Sequence, residues 1–461
     1  MTDSSGIACG AGSGSESLLN GQYAFLIHGP SVARAGSFTA DGTGKITAGE
    51  EDSQVFFTGQ TDGAIDPAAS FYAIGPDHRG CLALATTDGG TAYFRFALGV
   101  INASGIATAG HVIEFDDTRF DSAAGTIRLQ DKASFVADHF KGRYSMGLIG
   151  TGTAPVAIAG TFISDGNSTL SSGTFDIYAQ PIVQSDVTAT PTGSFTCCTD
   201  NGRGELTLQI NVPTSFTPPG PTTLAFYMIN ANDIFLTNSG PVQISGEAVA
   251  VPAGTVFSQA SLTGASVIRE AGHLVDIAIA NADGAGAITT NDNINIHGTF
   301  TASSSSLHYT VAPNGRVAIT GVSNAPVLYL FDQNRGFLVG TDPLQLAFGT
   351  IEPQAVGPFS NASLSGGYMF GAEDPFAVQA AASGVVTLDG AGNATGASDE
   401  LNSDDLIQNL IQNQSLAAAY SISADGTGNF GTDTTAILIS GKKFVFISKI
   451  SSNPIIIVVE K

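Results

Sequence analysis

The sequence predicts an all-β protein of four tandem antiparallel β-barrel or β-sandwich units, each of about 100–120 residues, the common size of a small domain. A Leu/Phe-x-Gly opening recurs four times, around Gly21, Gly142, Gly264 and Gly366. Between these openings, apolar and polar residues alternate in short runs, which is the pattern of strands. Because each interval is as long as a domain, the repeat indicates a tandem array and not a solenoid of short units.

Two further marks follow each opening in the same order. The first is an Asp-Gly pair, which is typical of a tight hairpin turn, and the second is a turn that begins with Arg in three units. The second mark lies 38 residues after the Asp in units 1, 2 and 4, and 33 residues after it in unit 3. The pairs are Asp41 with Arg79, Asp165 with Arg203, Asp283 with Arg316, and Asp389 with Thr427.

These marks divide the chain into a flexible leader and four units. The leader takes residues 1–17, unit 1 takes 18–133, unit 2 takes 134–255, unit 3 takes 256–357 and unit 4 takes 358–461. Turn signals at intervals of about 8–12 residues predict eight strands in unit 1, closing into a barrel or a two-sheet sandwich. Closure would remove the exposed strand edges that invite aggregation.

The elements of unit 4 depart from this pattern in two places. Residues 403–412 place apolar side chains at helical spacing behind a Ser that can cap a helix, which predicts a short helix. Residues 444–448 and 455–459 predict a C-terminal hairpin. Its last strand is apolar on both faces, so both faces require burial. That strand either closes its own barrel or, through Ile455, Ile456 and Ile457, contacts another copy of the chain by strand addition.

The joints between units carry a repeated aromatic residue. Phe135, Phe257 and Phe359 each stand seven residues before an anchor glycine, and unit 1 has no such Phe. Since only the first unit lacks a preceding unit, we expect each Phe to provide inter-unit packing. The joints would then be short and the array semi-rigid.

The composition excludes several classes of function. The formal net charge is −23, from 17 Lys and Arg against 40 Asp and Glu, which disfavours binding to nucleic acid or anionic lipid. Four cysteines are too few for a disulfide scaffold. Cys197 and Cys198 are adjacent, as free thiols or as a vicinal disulfide. Cys9 follows Ile-Ala, like the tail of a lipoprotein signal, and predicts either a lipid anchor or an ordinary flexible tail.

These motifs resemble those of uncharacterised secreted or lipid-anchored tandem β-repeat proteins of Acidobacteria. Unit 1 matches closely at residues 36–44, at 79–84 and at 94–98, and unit 2 matches at 200–208. Units 3 and 4 are degenerate, with Ser266 in place of the Tyr and Val317 in place of a Gly. The resemblance implies an extracellular or outer-surface location in a bacterium, and it supplies no catalytic residues.

Candidate chemistry is sparse. Calcium is one hypothesis, because Asp41 and Asp165 recur with a second acid eleven residues later, at Asp52 and Asp176, and Glu400 stands at the same distance in unit 4. The spacing is not that of an EF-hand, and an Asp before Gly is explained by turn chemistry alone. None of the seven histidines falls in a catalytic signature, and the chain has no Trp platform for sugars. We therefore expect no enzyme and no cofactor.

The remaining function classes are structural and ligand-binding. The sequence favours a non-catalytic extracellular or cell-surface interaction protein, such as a self-assembling fibre subunit or an adhesin, with another copy of itself as partner. The alternative is a lipocalin-like carrier with a small apolar ligand inside one or more barrels, since eight-stranded barrels can enclose one small ligand. A deep cavity would favour the carrier, and ordered self-association would favour the fibre.

Overall fold

The computed structural model describes the whole chain except residues 56–57, 89, 116–122, 153, 190–192, 209–221, 239–242, 373–379 and 405–406. Strands dominate it, in four consecutive antiparallel units, which confirms the predicted fold class. In the described part of the chain the helical elements are five short 3-10 turns: Glu16–Leu18, Lys132–Ser134, Ala137–His139, Gln259–Ser261 and Asn361–Ser363. No helix among the described residues is long and apolar enough to cross a bilayer.

Units 1 and 2 contain nine strands each. Unit 1 has β1 (Asn20–Gly29), β2 (Val32–Asp41), β3 (Ile46–Val55), β4 (Thr58–Ala64), β5 (Phe71–Ile74), β6 (Arg79–Ala85), β7 (Thr91–Ile101), β8 (Ala107–Glu114) and β9 (Ala124–Leu129). Unit 2 has β10 (Lys141–Thr151), β11 (Pro155–Asp165), β12 (Thr169–Ala179), β13 (Ile182–Ala189), β14 (Gly193–Thr196), β15 (Arg203–Leu208), β16 (Thr222–Met228), β17 (Asp233–Asn238) and β18 (Gln243–Ala250).

Units 3 and 4 contain eight strands each. Unit 3 has β19 (Thr263–Gly272), β20 (Val275–Asp283), β21 (Ala287–Ile296), β22 (Thr299–Val311), β23 (Arg316–Thr320), β24 (Val327–Asp332), β25 (Arg335–Val339) and β26 (Ala347–Pro353). Unit 4 has β27 (Ser365–Ala372), β28 (Ala380–Asp389), β29 (Asn393–Asp404), β30 (Ile407–Ile422), β31 (Thr427–Phe430), β32 (Thr434–Ser440), β33 (Lys443–Ser448) and β34 (Ile456–Glu460).

The four units share one topology. In units 3 and 4 the eight strands follow chain order around a closed barrel. Unit 2 closes in the same way through β11 and β12, while β13 folds back on β12 as a hairpin. Unit 1 is a curled nine-stranded sheet, and the isolated bridge between Lys45 and Phe71 links its two ends. The single long strands β22 and β30 therefore correspond to the pairs β4–β5 and β13–β14.

The units form a ring in which the same surfaces meet at every joint. The first three strands of each unit pack against strands from the second half of the next unit. Unit 1 meets unit 2 through β2 and β17, unit 2 meets unit 3 through β10 and β24, and unit 3 meets unit 4 through β20 and β33. Unit 4 returns to unit 1 through β27 and β8. The chain is thus a closed ring and not an extended array.

Ionic side chains from several units meet at the centre of the ring. Glu352 lies 2.8 Å from Arg269 and 2.9 Å from Lys443. Burial alone would raise the pKa of Glu352, but the two cations outweigh it and lower that pKa to about 2. Glu460 lies 3.4 Å from Arg128 of unit 1. A cavity of about 170 Å³ at this point is lined by residues of all four units.

The N-terminal segment lies against unit 1 and is not the free leader expected from the sequence. Asp3 is fully buried, and its carboxylate accepts hydrogen bonds from the backbone of Ser5 and Ile7. Cys9 forms a disulfide with Cys81 of β6, 72 residues away. That bond occupies the sulfur that a lipid thioether would need, so the structure gives Cys9 a different role from the expected lipid anchor.

Cys197 and Cys198 are joined to each other, which is the vicinal alternative considered above. Their sulfurs lie 3.9 Å and 3.4 Å from the sulfur of Met228. Both side chains pack, partly buried, against the core of unit 2.

The predicted helix at 403–412 is wrong. The described residues of this stretch belong to β29 and β30, which pair with each other as far as Asp404 and Ile407. Leu406 lies outside the described residues. Apolar residues at helical spacing over ten residues are a weak signal, and the long cross-strand pairing of the barrel overrides it.

The C-terminal hairpin forms as predicted, and its last strand closes its own barrel. β34 pairs with β33 on one side and with β27 on the other. Ile456 and Ile457 are buried, and Ile455 packs against the unit 4 core. Both edges of the strand are therefore occupied, which leaves it no free edge for a second copy of the chain.

Loss of the disulfide between Cys9 and Cys81 should destabilise the protein. A bond that closes a long loop restricts the unfolded chain and typically contributes about 2–4 kcal/mol. Cys9→Ser removes the bond and should lower the urea midpoint, followed by circular dichroism. Cys197→Ser is the control, because a bond between neighbours closes almost no loop. An equal loss of stability in both variants would contradict this explanation.

Candidate functional site

The repeated Asp-Gly aspartates organise hairpin turns. The Asp165 carboxylate accepts hydrogen bonds from the backbone N–H groups of Asn167 at 2.8 Å and Thr169 at 2.9 Å. The Thr169 and Asn167 bonds favour the charged form and lower the pKa of Asp165 to about 2. Asp41 and Asp389 accept equivalent backbone bonds. The recurrence of Asp at this position is explained by turn geometry.

Asp52 and Asp176 lie instead at the joints between units. The Asp52 carboxylate is fully buried and accepts two hydrogen bonds from Arg203 of unit 2, at 2.7 and 3.0 Å. The Tyr227 hydroxyl donates a third, at 2.7 Å, and the backbone N–H of Asp62 donates a fourth, at 3.1 Å. Burial and the adjacent Asp52 charge raise the pKa of Tyr227 well above its usual value, so the hydroxyl remains a donor.

The joint between units 2 and 3 repeats this arrangement. Asp176 accepts two bonds from Arg316, at 2.7 and 2.8 Å, and one from the Tyr329 hydroxyl, at 2.6 Å. The backbone N–H of Asp186 completes the set at 3.2 Å. Asp62 and Asp186 have φ angles of 54° and 56°, which aim their N–H groups at the carboxylates. Arg203 and Arg316, which begin the second repeated turn of units 2 and 3, are therefore the partners of Asp52 and Asp176 in the preceding unit.

Unit 4 closes the ring with the same kind of pair, but the acid is Asp399 and not Glu400. The buried Asp399 carboxylate contacts Arg79 at 3.1 Å and Arg95 at 3.0 Å, both in unit 1. The backbone N–H of Asn413, with φ of 56°, donates to it at 3.0 Å. Glu400 is the next residue of β29 and therefore points to the opposite face of the sheet.

A β-bulge explains this one-residue difference. β3 and β12 each contain an extra residue just after the Asp-Gly turn, where the pairing register shifts. The paired part of β21 has no such shift, and β29 pairs without one from Ala394 to Ser398. The acid of the joint is thus eleven residues after the turn Asp in units 1 and 2 but ten residues after it in unit 4. In unit 3 the equivalent residue is Asn293.

The joint between units 3 and 4 has lost the ion pair on both sides. Asn293 replaces the acid, and Thr427 occupies the position of the Arg. The side-chain oxygen of Asn293 lies 3.5 Å from the Thr435 hydroxyl. The joint also contains an apolar cluster of buried residues: Val267, Ala271, Val275, Ile277 and Ile279 of unit 3, with Ile437, Ile439, Val445, Ile447, Ile456 and Val458 of unit 4.

The structure does not bring the proposed calcium residues together. Asp41 ends β2, whereas Asp52 lies opposite Ala35 of the same strand, about 20 Å away at 3.3 Å per residue. Asp165 and Asp176 are separated in the same way, since Asp176 lies opposite Ala159. Among the described residues, no group of three or more His, Cys, Asp or Glu is placed to hold a metal ion.

The three joint phenylalanines pack at the base of their own units. Phe257 belongs to the core cluster of unit 3, and Phe359 belongs to that of unit 4. Phe135 packs against the unit 2 core. Each ring covers a turn glycine of its own unit: Gly202, Gly315 and Gly426, respectively. These glycine contacts lie within one unit, whereas the joints described above are formed by other residues.

A cavity opens inside the unit 4 barrel. Its volume is about 400 Å³, and its lining is mostly apolar. Phe370, Phe430, Phe444 and Phe446 form the aromatic part of the wall. Leu416 and Val386, which also line it, are only partly buried although they face the barrel interior. Solvent therefore reaches the interior of this barrel.

Small side chains account for the space in unit 4. Ala394 lines the cavity near the start of β29. The same register position is occupied by Ile46 in unit 1, Leu170 in unit 2 and Ile288 in unit 3. The residue paired with this position on β28 is the buried Leu388, where units 1 to 3 have Ala40, Ser164 and Ala282, so the neighbouring strand makes up part of the three carbon atoms that Ala lacks relative to Leu or Ile.

Two aromatic rings that help to fill the barrels of units 1 and 2 are missing from unit 4, as they are from unit 3, which has Leu328 and Ala280 at these positions. Phe96 of unit 1 and Phe226 of unit 2 each lie over a glycine of the neighbouring strand, but the equivalent residue of unit 4 is Ala436. Phe38 and Phe162 likewise correspond to Val386. Unit 2 instead packs its core with close rings, such as Phe140 and Phe226 at 5.0 Å between centroids.

The mouth of the cavity is bordered by a loop that unit 3 holds in place. Ser448, Ser451 and Asn453, between β33 and β34, line the cavity. The side-chain amide of Asn295, at the tip of the β21–β22 hairpin, donates to the carbonyl oxygens of Ser448 at 2.6 Å and Ser451 at 3.2 Å. The position of this loop therefore depends on the neighbouring unit.

Comparisons with known proteins identify no family. No family model and no curated protein matches the chain. A solved structure of the vaccine antigen transferrin-binding protein B from Haemophilus parasuis Hp5, in a mutant form, is 10% identical with a TM-score of 0.20, and the match covers 97% of this chain and 95% of that one. CghA is 12% identical with a TM-score of 0.16, covering 97% and 92%. Similarities this weak carry no functional argument.

Breaking one ionic joint should strongly destabilise the ring. Arg316→Ala leaves the Asp176 carboxylate buried without its counter-ion, which typically costs about 3–5 kcal/mol. The double variant Asp176→Asn/Arg316→Thr imitates the neutral joint between units 3 and 4 and should recover much of that loss. Urea unfolding compares the variants, with the exposed Lys132→Ala as control. The role of the ion pair would be contradicted if Arg316→Ala unfolded like the control.

A carboxylate cluster in unit 3 should make stability depend on pH. Burial and the Asp292 charge raise the pKa of Glu270 to about 7, and burial with the same neighbour raises that of Asp276. The carboxyl group has a pKa near 4.4 in the unfolded chain and a higher one in the folded protein, so the folded state holds the proton more tightly. The resulting contribution to stability is fully present below the unfolded-state pKa and is lost as the pH rises through 7. Glu270→Gln should therefore stabilise the protein at pH 8, by roughly 1–3 kcal/mol, and have little effect at pH 4.5. Urea midpoints at both values provide the check, and a pH-independent difference would refute it.

Proposed function

We propose that this protein is an exported, non-catalytic binding protein that holds a small apolar molecule inside the barrel of unit 4. The observation that carries this proposal is the accessible apolar cavity of about 400 Å³. Ligand sites typically have volumes of about 300–1,000 Å³, mostly apolar walls and a few polar groups. The unit 4 barrel has this composition, with polar side chains such as Ser451 and Asn453 at the mouth.

Units 1 to 3 would act as a scaffold. The cores of units 1 and 2 carry Phe96 and Phe226 where unit 4 has Ala436, and their rings occupy the barrel interior. Unit 3 contributes the hairpin that holds the mouth loop through Asn295. A closed ring would keep this hairpin and the loop in a fixed relation.

Export is supported by the disulfide between Cys9 and Cys81, because such bonds persist mainly in oxidising compartments. The acidic composition, with a net charge of −23, favours solubility in such a setting. The fibre-subunit hypothesis receives less support. Strand addition needs a free edge, and both edges of β34 are paired within unit 4.

Binding of a neutral fluorophore tests the proposal. N-phenyl-1-naphthylamine should bind with a stoichiometry of one per chain and gain fluorescence. Ala394→Leu and Val386→Phe restore side chains that other units carry at these positions, so each should weaken binding by about tenfold or more, equivalent to at least about 1.4 kcal/mol. The control Ala285→Leu makes the same change as the first variant at an exposed turn of unit 3.

The stability of each variant separates a filled cavity from a damaged fold. Since Ala394→Leu adds atoms to empty space, its urea midpoint should equal or exceed that of the wild type. Binding that is unchanged in both cavity variants would overturn the proposed site. An equal loss of binding in the Ala285→Leu control would also overturn the proposed site.

A further inference from the structure

Glu400 places a carboxylate inside the unit 4 barrel. On β29 successive side chains alternate between the two faces of the sheet. Ala394 faces the core, and Glu400, six residues later, lies on the same face and lines the cavity. Asp399 takes the outward face and binds Arg79 of unit 1. The two neighbouring acids therefore act on opposite sides of one strand.

A neighbouring side chain holds the Glu400 carboxylate in place. The buried Ser398 hydroxyl donates to Glu400 Oε1 at 2.8 Å. A carboxylate has about four acceptor positions on its two oxygens. The Gln414 amide, in the orientation that satisfies its hydrogen bonds, also donates to both oxygens at 3.3 Å. Part of the acceptor capacity therefore remains for a donor group on a ligand in the cavity.

Among the described residues that line the cavity, none is basic and able to balance this charge. Glu400 is the single charged side chain among the described residues that line the cavity. The other polar groups there are hydroxyls and an amide, such as Thr434, Ser448 and Asn453. A ligand carboxylate would meet a like charge, whereas a ligand ammonium would form a charge-assisted hydrogen bond.

The aromatic wall favours the same kind of ligand. Phe430 and Phe444 stack with 5.2 Å between centroids and an angle of 2° between their planes, and Tyr420 stacks on the other side at 5.3 Å. The apolar body of a ligand packs well against such a wall. The negative charge of the whole chain adds a weak, long-range attraction for cations.

We infer that the unit 4 cavity selects apolar amines, with Glu400 as the residue that recognises the ammonium group and the phenylalanine wall as the surface that receives the apolar body. This inference rests on the proposed function, because it concerns the same cavity. It adds the class of ligand and excludes fatty acids and other apolar carboxylates as preferred ligands.

Three pyrene derivatives of nearly equal size provide the test. Fluorescence titration at pH 7.5 compares 1-pyrenemethylamine, 1-pyrenemethanol and 1-pyrenecarboxylate. The wild type should bind the amine about tenfold or more tightly than the carboxylate, as expected for one charge-assisted bond. Glu400→Gln should weaken amine binding about tenfold, leave the alcohol unchanged and not weaken the carboxylate.

A matched control separates direct recognition from the overall charge. Asp433→Asn removes one negative charge from an exposed position of unit 4, beside Thr434, and should leave the amine preference intact. Equal loss of amine binding in both variants would overturn the role of Glu400. Equal binding of all three compounds to the wild type, still blocked by Ala394→Leu, would refute amine selection but keep the cavity. If Ala394→Leu reduced the binding of none of the three compounds, the proposed function would be refuted as well.

Discussion

The ring depends on a simple electrostatic constraint, which is that a buried carboxylate must have a partner. Removing such a group from water costs several kcal/mol, so Asp52 and Asp176 are tolerable only where the next unit presents an Arg. The planar guanidinium and the Tyr hydroxyl accept few relative orientations, and this constrains how unit 1 meets unit 2 and how unit 2 meets unit 3. The joint between units 3 and 4 supports the same view. Asn293 stands there in place of the acid and Thr427 in place of the Arg, so no charge is left unpaired.

Joint formation and the proposed ligand site are separated onto the two faces of the same strand. In β29 the outward Asp399 serves the ring, while the inward Ala394 and Glu400 serve the cavity. Substitutions on one face therefore need not disturb the other. The contact of Asn295 with the mouth loop is an exception, since there one unit directly shapes the binding region of the next.

The sequence was sufficient for the all-β class and the repeated marks, because turns and alternation are local signals. It could not give the partners of those marks, since the Arg that pairs with Asp52 belongs to another unit, 151 residues along the chain. That is why the second acids suggested calcium. The cavity was hidden for a related reason: Ala394 is an ordinary residue of a strand, and its small size has meaning only beside Leu170 at the same place in another barrel.

The bulge in β3 and β12 has a consequence for how such repeats diversify. Side chains along a strand alternate between the barrel interior and the outside. One inserted residue therefore reverses the direction of every side chain that follows it in the strand. In β29, where the bulge is missing, the two consecutive acids Asp399 and Glu400 ensure that one carboxylate faces the neighbouring unit in either register. A single-residue insertion or deletion could thus exchange an adhesive residue for a ligand-recognising one while the ring persists, so that new specificities could arise by a change of length and not of composition.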